Sequence, residues 1–194
     1  MNISAEQLAR CVGAPFDRAQ MWLGPLSDAM GEFEINTPVR IGMFLANVAH
    51  ESASLSAVRE RWGPTPAQLR YEGRKDLGNV RPGDGRKYLG RGPLQVTGHA
   101  NYVRLRDRLI ERLDGLVPDF EQSPELLELP RWGSYAAGMY WHDRRLNLLA
   151  DDGRFDAVCD VINIGHETER EGDSNGYASR LNYWHACKVT LAIV

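Results

Sequence analysis

Two glutamates in the segment "AHESASLSAVRERW", Glu51 and Glu60, have surroundings that suit acid–base chemistry. At 100° per residue, Glu51 falls at the edge of an apolar helix stripe beside Phe44, where partial desolvation favours the protonated, proton-donating form. Glu60 lies between Arg59 and Arg61, whose positive charges favour the ionised, proton-accepting form. Two carboxyl groups in different environments can act as general acid and general base across one glycosidic bond.

The nine-residue spacing between these glutamates makes a structural demand. On one unbroken helix it corresponds to a rise of ~13 Å and to opposite faces. A shared site needs the carboxyl groups about 6.5–9.5 Å apart for inversion, or about 5–5.5 Å apart for retention. The serine-rich stretch "SASLSA" and the Gly63-Pro64 step after it permit the helix to end or bend in between. The alternative is that Glu51 is a helix-edge side chain that reaches solvent and that Glu60 is a surface charge.

Other catalytic chemistries find little support in the residue pattern. His50 and Glu51 begin like the zinc motif HExxH, but Ser54 stands where the second histidine is required. No other group of histidines and cysteines has ligand spacing. The GxSxG motif of many serine hydrolases does not occur. We therefore expect neither a metal nor another cofactor.

Composition indicates a folded enzyme-sized domain. The chain has 194 residues, of which 43% are hydrophobic and 25% charged, and its formal net charge is −3. These values predict a single domain over 1–194, with 1–36 as an N-terminal helical segment packed on it. No basic stripe is present, which argues against a nucleic-acid partner. We expect the protein to act as a monomer.

The cysteines and the apolar segments bear on the cellular compartment. Cys11, Cys159 and Cys187 are odd in number and far apart, so we expect buried, reduced thiols rather than a disulfide. The first residues, "MNISAEQLAR", lack the basic and apolar regions of a secretory signal. No apolar run approaches the ~20 residues of a membrane span, so we expect no stable membrane insertion.

Helix signals dominate the rest of the chain. Ser4 followed by Gln7 predicts a capping box that opens a short helix. Thr37 and Pro38 predict the start of the helix that carries Glu51, because a capping hydroxyl precedes a proline at the first helical position. We therefore expect a mostly α-helical fold.

Glycine and proline predict interruptions at two places. The Gly24-Pro25 step is expected to divide or bend the second helical segment. Between Gly63 and Thr97 both residue types are dense, which predicts a cleft segment built of loops or of a short β-hairpin.

Three segments together resemble one enzyme family. They are "TPVRIGMFLANVAHES", "KYLGRGPLQVTGHANY" and "DVINIG", and their order and spacing resemble the family 19 glycoside hydrolases, whose chitinase-like fold also supplies many bacteriophage endolysins. The resemblance covers about Met21 to Trp184. It implies a lysozyme-like, chitinase-like α-helical domain with a loop-rich cleft. The N-terminal region also resembles that of bacteriophage members.

The resemblance assigns roles to individual residues. Glu51 matches the general acid, Glu60 the general base, and Thr97 the residue that positions the attacking water. A further set is expected to bind or adjoin the substrate: His50, Tyr88, Gln95, Asn101, Asn163, Glu167 and Arg180. The chain departs from the family pattern at Ile164, at Ala100 and in the longer segment 166–176.

These roles lead to a functional expectation with several alternatives. The leading one is an endolysin-type glycosidase that cleaves the β-1,4 glycan strand of peptidoglycan with inversion. It would stay in the host cytoplasm until release and then act on the periplasmic cell wall. The alternatives are a chitinase acting on chitin oligomers, a lytic transglycosylase that leaves Glu60 idle, and a non-catalytic glycan-binding protein.

Overall fold

The computed structural model describes residues 3–194, whose regular secondary structure is almost entirely helical. The α-helices are α1 Ala5–Val12, α2 Phe16–Glu32, α3 Pro38–Glu51, α4 Pro66–Leu69, α5 Asp84–Lys87, α6 His99–Arg112, α7 Pro130–Asp143, α8 Leu146–Asp151, α9 Phe155–Asn163 and α10 Tyr177–Leu191. Short 3₁₀-helices cover Lys75–Leu77 and Pro124–Glu128. The mostly helical prediction is therefore confirmed. Within the described residues, no helix has both the length and the apolar character needed to cross a membrane.

The helix starts follow the capping signals in the sequence. Both bonds of the predicted capping box form, because the Ser4 hydroxyl accepts from the Gln7 N–H and the Gln7 side chain accepts from the Ser4 N–H. The Thr37 hydroxyl accepts a hydrogen bond from the Arg40 N–H at the start of α3. Both predicted helix starts are therefore confirmed.

The second helix differs from the expected division at Gly24-Pro25. One continuous helix, α2, runs through Pro25. The carbonyl that loses its N–H partner belongs to Met21, which is exposed, so that water can satisfy this carbonyl. Trp22 and Leu26 are buried on the opposite side of α2 and keep the helix packed on the core.

Helix α3 is the centre of the fold. Every residue from Ile41 to Ala49 is buried, as expected for a helix covered on all faces. It packs against α10, α1, α8 and α9, while α2 packs against α7. The part of segment 1–36 that the structure describes thus lies directly on the helices that surround α3.

Two glycines allow helices to approach closely. A Cβ atom at Gly42 of α3 would lie 2.6 Å from Cζ3 of Trp184 on α10. A Cβ atom at Gly138 of α7 would overlap the ring of Phe33, which is itself fully buried. A larger residue at either position would force the neighbouring aromatic side chain or its helix to shift.

The three cysteines are buried and free, which confirms the prediction of reduced thiols. Burial raises the pKa of the Cys159 thiol to about 12. This thiol is therefore protonated and unreactive in the folded protein at neutral pH.

The segment 63–97 contains short helices and loops. Among the described residues, its β-type backbone pairing is limited to two isolated antiparallel bridges. One joins Arg91 to Arg59, which precedes the segment, and the other joins Arg91 to Val96. Gly92 and Pro93 follow Arg91 directly, and the tight turn that they begin leaves no room for a longer strand. Of the two predicted forms, the loop-built one is therefore correct, and the hairpin is not formed.

The glycine contacts predict a stability difference between two alanine variants. Gly138→Ala should lower the free energy of unfolding by about 1–3 kcal/mol, because the new methyl group overlaps Phe33. Gly31→Ala in α2, which meets no atom within 4 Å, should raise it by about 0.5 kcal/mol through helix propensity. Urea denaturation measures both. Equal effects of the two variants would contradict the close packing of α7 on Phe33.

Candidate active site

The predicted break between the two glutamates is present. Helix α3 ends at Glu51, and the Ser52 hydroxyl donates to the Val48 carbonyl at 2.6 Å and accepts from the Leu55 N–H at 2.9 Å. Residues 53–55 all have positive φ, at 46°, 60° and 62°, which reverses the chain. Residues other than glycine rarely adopt this backbone conformation. The buried side chain of Leu55 anchors the turn in the core. The prediction of a helix end before Glu60 is confirmed.

The break places both carboxyl groups on one cleft. Glu51 and Glu60 line a cavity of about 570 Å³, together with Gln95 from the segment that precedes α6. We call this cavity the carboxylate cleft. Arg59 and Arg61 also contribute to its wall. One straight helix could not have brought these residues into one cavity.

Glu60 is held by neutral hydrogen-bond donors. Its Oε2 accepts from the Gly90 N–H at 3.1 Å, and its Oε1 accepts from Gln68 Nε2 at 2.9 Å and from the Tyr71 hydroxyl at 3.4 Å. The Glu60 N–H in turn donates to the Gly90 carbonyl at 2.9 Å. Desolvation raises the pKa of Tyr71, and the nearby Glu60 charge adds to this, so Tyr71 stays a protonated donor.

The expected arginine partners of Glu60 are not found. Arg59 lies 3.7 Å from the carboxylate of Glu128 instead. Arg61 contributes only its backbone carbonyl, which accepts from Gln68 Nε2 at 2.7 Å. The sequence-based assignment of cationic neighbours to Glu60 is therefore wrong.

Gly90 brings three of the predicted site residues together. Its N–H binds Glu60, and a Cβ atom at this position would overlap Oε1 of Gln95 and lie 3.2 Å from Oγ1 of Thr97. Only a glycine leaves space for these two side chains. Asn101 supports the arrangement, because its Nδ2 donates to the Thr97 carbonyl at 2.7 Å. The cluster thus combines a carboxylate, an amide and a hydroxyl.

Glu51 has a cationic partner. Its Oε1 accepts a hydrogen bond from Nη2 of Arg180, whose side chain is 1% exposed. The same guanidinium donates to Oδ1 of Asn47 at 2.7 Å and to the Asn175 carbonyl at 3.2 Å. Arg180 was expected to contact substrate, but its burial excludes this. It instead fixes the position of the Glu51 carboxylate.

Asn47 is a site residue that the sequence reasoning missed. It is fully buried in α3, one turn before Glu51, and its Nδ2 donates to the Met43 carbonyl at 2.9 Å. Residues four apart share one helix face, so that both side chains can meet the same guanidinium. The signal in the sequence was an amide within an otherwise apolar helix.

His50 packs against the start of α10. A Cβ atom at Gly176 would overlap its ring, and His50 is not among the residues that line the carboxylate cleft. Burial, followed by the nearby Arg180 charge, lowers the pKa of His50. The structure therefore gives His50 a packing role where substrate contact was expected.

Tyr88 was expected to line the cleft, and this is wrong. Its side chain is buried, its hydroxyl donates to the Glu121 carbonyl at 3.1 Å, and its ring packs against His99 and Tyr102. A tyrosine can be buried in this way when its hydroxyl finds an internal acceptor. The buried Tyr88 side chain therefore helps to hold the segment that contains Gly90, and it does not contact a ligand.

Asn163 and Glu167 lie at the end of α9 and beyond it. Oδ1 of Asn163 accepts from the Asn175 N–H at 2.7 Å and so holds the residue whose carbonyl binds Arg180. Glu167 forms an exposed ion pair with Arg154. Neither residue lines the carboxylate cleft, so the structure does not bring them together with Glu51 and Glu60.

Comparison with solved structures identifies the fold. Chitinase C from Streptomyces griseus HUT6037 superposes with a TM-score of 0.72 at 20% identity, covering 98% of this chain and 76% of that chain. A bacterial family 19 chitinase gives 0.71 at 20% identity, covering 100% of this chain and 97% of that one. No family sequence model matches the chain. At this level of identity the similarity concerns the fold alone, which is the chitinase-like fold of the family 19 chitinases.

The buried guanidinium predicts a large stability effect. Arg180→Met should lower the free energy of unfolding by about 2–4 kcal/mol, because Asn47 and Glu51 lose their buried partner. Arg154→Met removes the exposed pair with Glu167 and should cost under about 1 kcal/mol. Urea denaturation of both variants measures the difference. Similar losses in the two would show that the Arg180 contacts contribute little.

The pKa of His50 predicts a pH effect on stability. Because the folded protein binds a proton on His50 less readily than the unfolded chain does, stability should fall as the pH drops below about 6.5. His50→Gln removes this group, so its free energy of unfolding should fall less between pH 8 and pH 5.5 than that of the wild type. Denaturant titrations at the two pH values test this. An unchanged difference would contradict the burial of a neutral His50.

Proposed function

We propose that this protein is a glycoside hydrolase of the endolysin type, which cleaves the β-1,4 glycan strand of peptidoglycan with inversion. The observation that carries the proposal is the pair of carboxyl groups on one cleft, each with different partners. The chitinase-like fold supports it, because similar solved structures are described as chitinases. The protein acts as a monomer on the periplasmic wall, after remaining in the host cytoplasm until release.

Glu51 is the general acid in this mechanism. In its protonated form it donates a proton to the glycosidic oxygen while the bond to the anomeric carbon breaks. The leaving sugar then carries a neutral hydroxyl group, and Glu51 becomes an anion. Arg180 lies against this carboxyl group and stabilises the charge that develops on it.

Glu60 is the general base. Its carboxylate takes a proton from a water molecule whose oxygen attacks the anomeric carbon from the opposite side of the sugar. Gly90 and Gln68 hold the carboxylate by hydrogen bonds from neutral groups, so that its negative charge is not cancelled. The Thr97 hydroxyl lies against the same glycine and can both accept from and donate to the attacking water.

Chitin is the second candidate substrate. It is favoured by the description of the structural neighbours as chitinases. Peptidoglycan is supported by the resemblance to bacteriophage members and by the two arginines in the cleft wall, Arg59 and Arg61. A glycan with carboxylate groups gains from such neighbours, whereas neutral chitin does not.

A variant series tests the catalytic roles. Glu51→Gln should lower the rate of glycan cleavage by about 10³-fold or more, and Glu60→Gln by about 10²–10³-fold, because each removes a proton carrier. Thr97→Ala should lower it by roughly tenfold, since one hydrogen bond to water is lost. Lysis of outer-membrane-permeabilised cells, followed by turbidity, gives the rates. Full activity of Glu51→Gln would show that Glu51 is not the general acid and that the carboxylate cleft is not the active site.

Product analysis separates the reaction types and the substrates. Mass spectrometry of digested peptidoglycan should show reducing ends, whereas a lytic transglycosylase gives 1,6-anhydromuramyl ends and does not need Glu60. Cleavage of chitin oligomers by a wild-type protein that leaves peptidoglycan intact would favour the chitinase assignment. Binding without cleavage of either polymer would make the protein a glycan-binding one.

A further inference from the structure

A second cavity, of about 150 Å³, lies between α6 and α7 beside the carboxylate cleft. We call it the arginine pocket because three arginines line it. Its polar lining consists of Arg104, Arg108, Arg144, Asp143, Tyr140, Asn101, Thr97 and Gln95. None of the steps proposed above uses the arginines or Tyr140.

The arginine pocket carries an excess of positive charge. Arg108 pairs with two carboxylates, Asp143 at 2.9 Å and Glu111 at 3.3 Å, which leaves a local charge of 3 − 2 = +1 in a chain whose net charge is −3. Arg104 and Arg144 are both exposed, and within residues 3–194 neither of them has an ion-pair partner. The local charge is therefore available to an incoming anion.

The geometry holds one of these guanidinium groups in place. The guanidinium carbon of Arg144 lies 3.6 Å from the centre of the Tyr140 ring, on whose face it stacks. Tyr140 is fixed in turn, since its hydroxyl donates to the Ile162 carbonyl at 3.2 Å. A stacked guanidinium presents its N–H groups in one plane, the arrangement that binds both oxygens of a carboxylate. Among the described residues, the one side-chain hydrogen bond of Arg104 is to Asn101, at 3.4 Å.

The arginine pocket adjoins the carboxylate cleft at one shared wall residue, Gln95. Gln95 lines both cavities, and Thr97, the proposed water-positioning residue, also lines the arginine pocket. Desolvation raises the pKa of Tyr140, and the charge of Glu51 contributes to this rise, so Tyr140 lies within electrostatic reach of Glu51. The arginine pocket therefore lies next to the cavity in which Glu51 and Glu60 are found.

We propose that the arginine pocket is a subsite for carboxylate groups that the glycan substrate carries. This inference rests on the proposed function, because peptidoglycan has such groups and chitin has none. In peptidoglycan the carboxylate comes from the lactyl ether of the muramic acid residue or from the stem peptide attached to it. Arg104 and Arg144 bind it and so select anionic over neutral glycans at a site next to the bond that is cleaved.

Binding to the Glu51→Gln variant, which should not turn over, tests the subsite directly. Three soluble probes are titrated calorimetrically: chitotetraose, the peptide-free tetrasaccharide of alternating N-acetylglucosamine and N-acetylmuramic acid, and the same tetrasaccharide with stem peptides. At low salt, at least one anionic probe should bind roughly tenfold more tightly than chitotetraose. Adding Arg104→Gln and Arg144→Gln should abolish this preference and leave chitotetraose binding unchanged.

A charge-matched control separates local binding from the overall charge. Arg10→Gln with Arg86→Gln changes the net charge by the same amount, at exposed positions that line neither cavity. This control should keep the preference. Tighter binding of the peptide-free tetrasaccharide identifies the lactyl carboxylate as the ligand, and a preference that needs the peptide identifies the stem carboxylates.

Two results would contradict the proposal that the arginine pocket is a carboxylate subsite. They are equal affinities for the three probes, and an equal loss of anionic and neutral binding in the arginine variant. Failure of the proposed function is a separate result, namely wild-type protein that does not cleave peptidoglycan. The binding preference of the Glu51→Gln variant is measured without cleavage, so failure of the subsite and failure of the proposed function give different results.

Discussion

The buried guanidinium of Arg180 is the interaction on which the site depends. A charged group with 1% exposure is tolerated only when its N–H groups are satisfied, and three groups satisfy it here: Asn47, Glu51 and Asn175. Asn47 and Glu51 belong to α3, while Arg180 belongs to α10, which packs closely on α3. The ion pair therefore links the position of the proposed acid to the main helix–helix contact of the fold.

The second constraint is the chain reversal after α3. Three consecutive residues with positive φ would not be stable in isolation, but the buried Leu55 and the bonds of Ser52 hold them in place. From this turn the chain runs along the Gly90 segment, where Glu60 exchanges backbone and side-chain hydrogen bonds with one glycine. The position of Glu60 is thus set by a loop-to-loop contact, while that of Glu51 is set by packed helices.

Local signals in the sequence predicted the features that neighbouring residues determine. The cap at Thr37 and the end of α3 after Glu51 follow from residue types within a few positions of each other. The contact between Glu51 and Arg180 joins residues 129 positions apart, and no local pattern carries such information. Tyr88 shows the same limit, because its burial depends on an acceptor at Glu121 that only the folded chain supplies.

The two carboxyl environments are the reverse of those expected from the sequence. Glu51 was expected against an apolar wall, yet it contacts a guanidinium, and Glu60 was expected among arginines, yet it contacts neutral donors. In the proposed mechanism, Arg180 stabilises the anion that forms when Glu51 gives up its proton, whereas neutral donors orient Glu60 without cancelling the charge that attracts a proton. Arg59 and Arg61 also line the cavity, and Arg59 pairs with Glu128 rather than with Glu60.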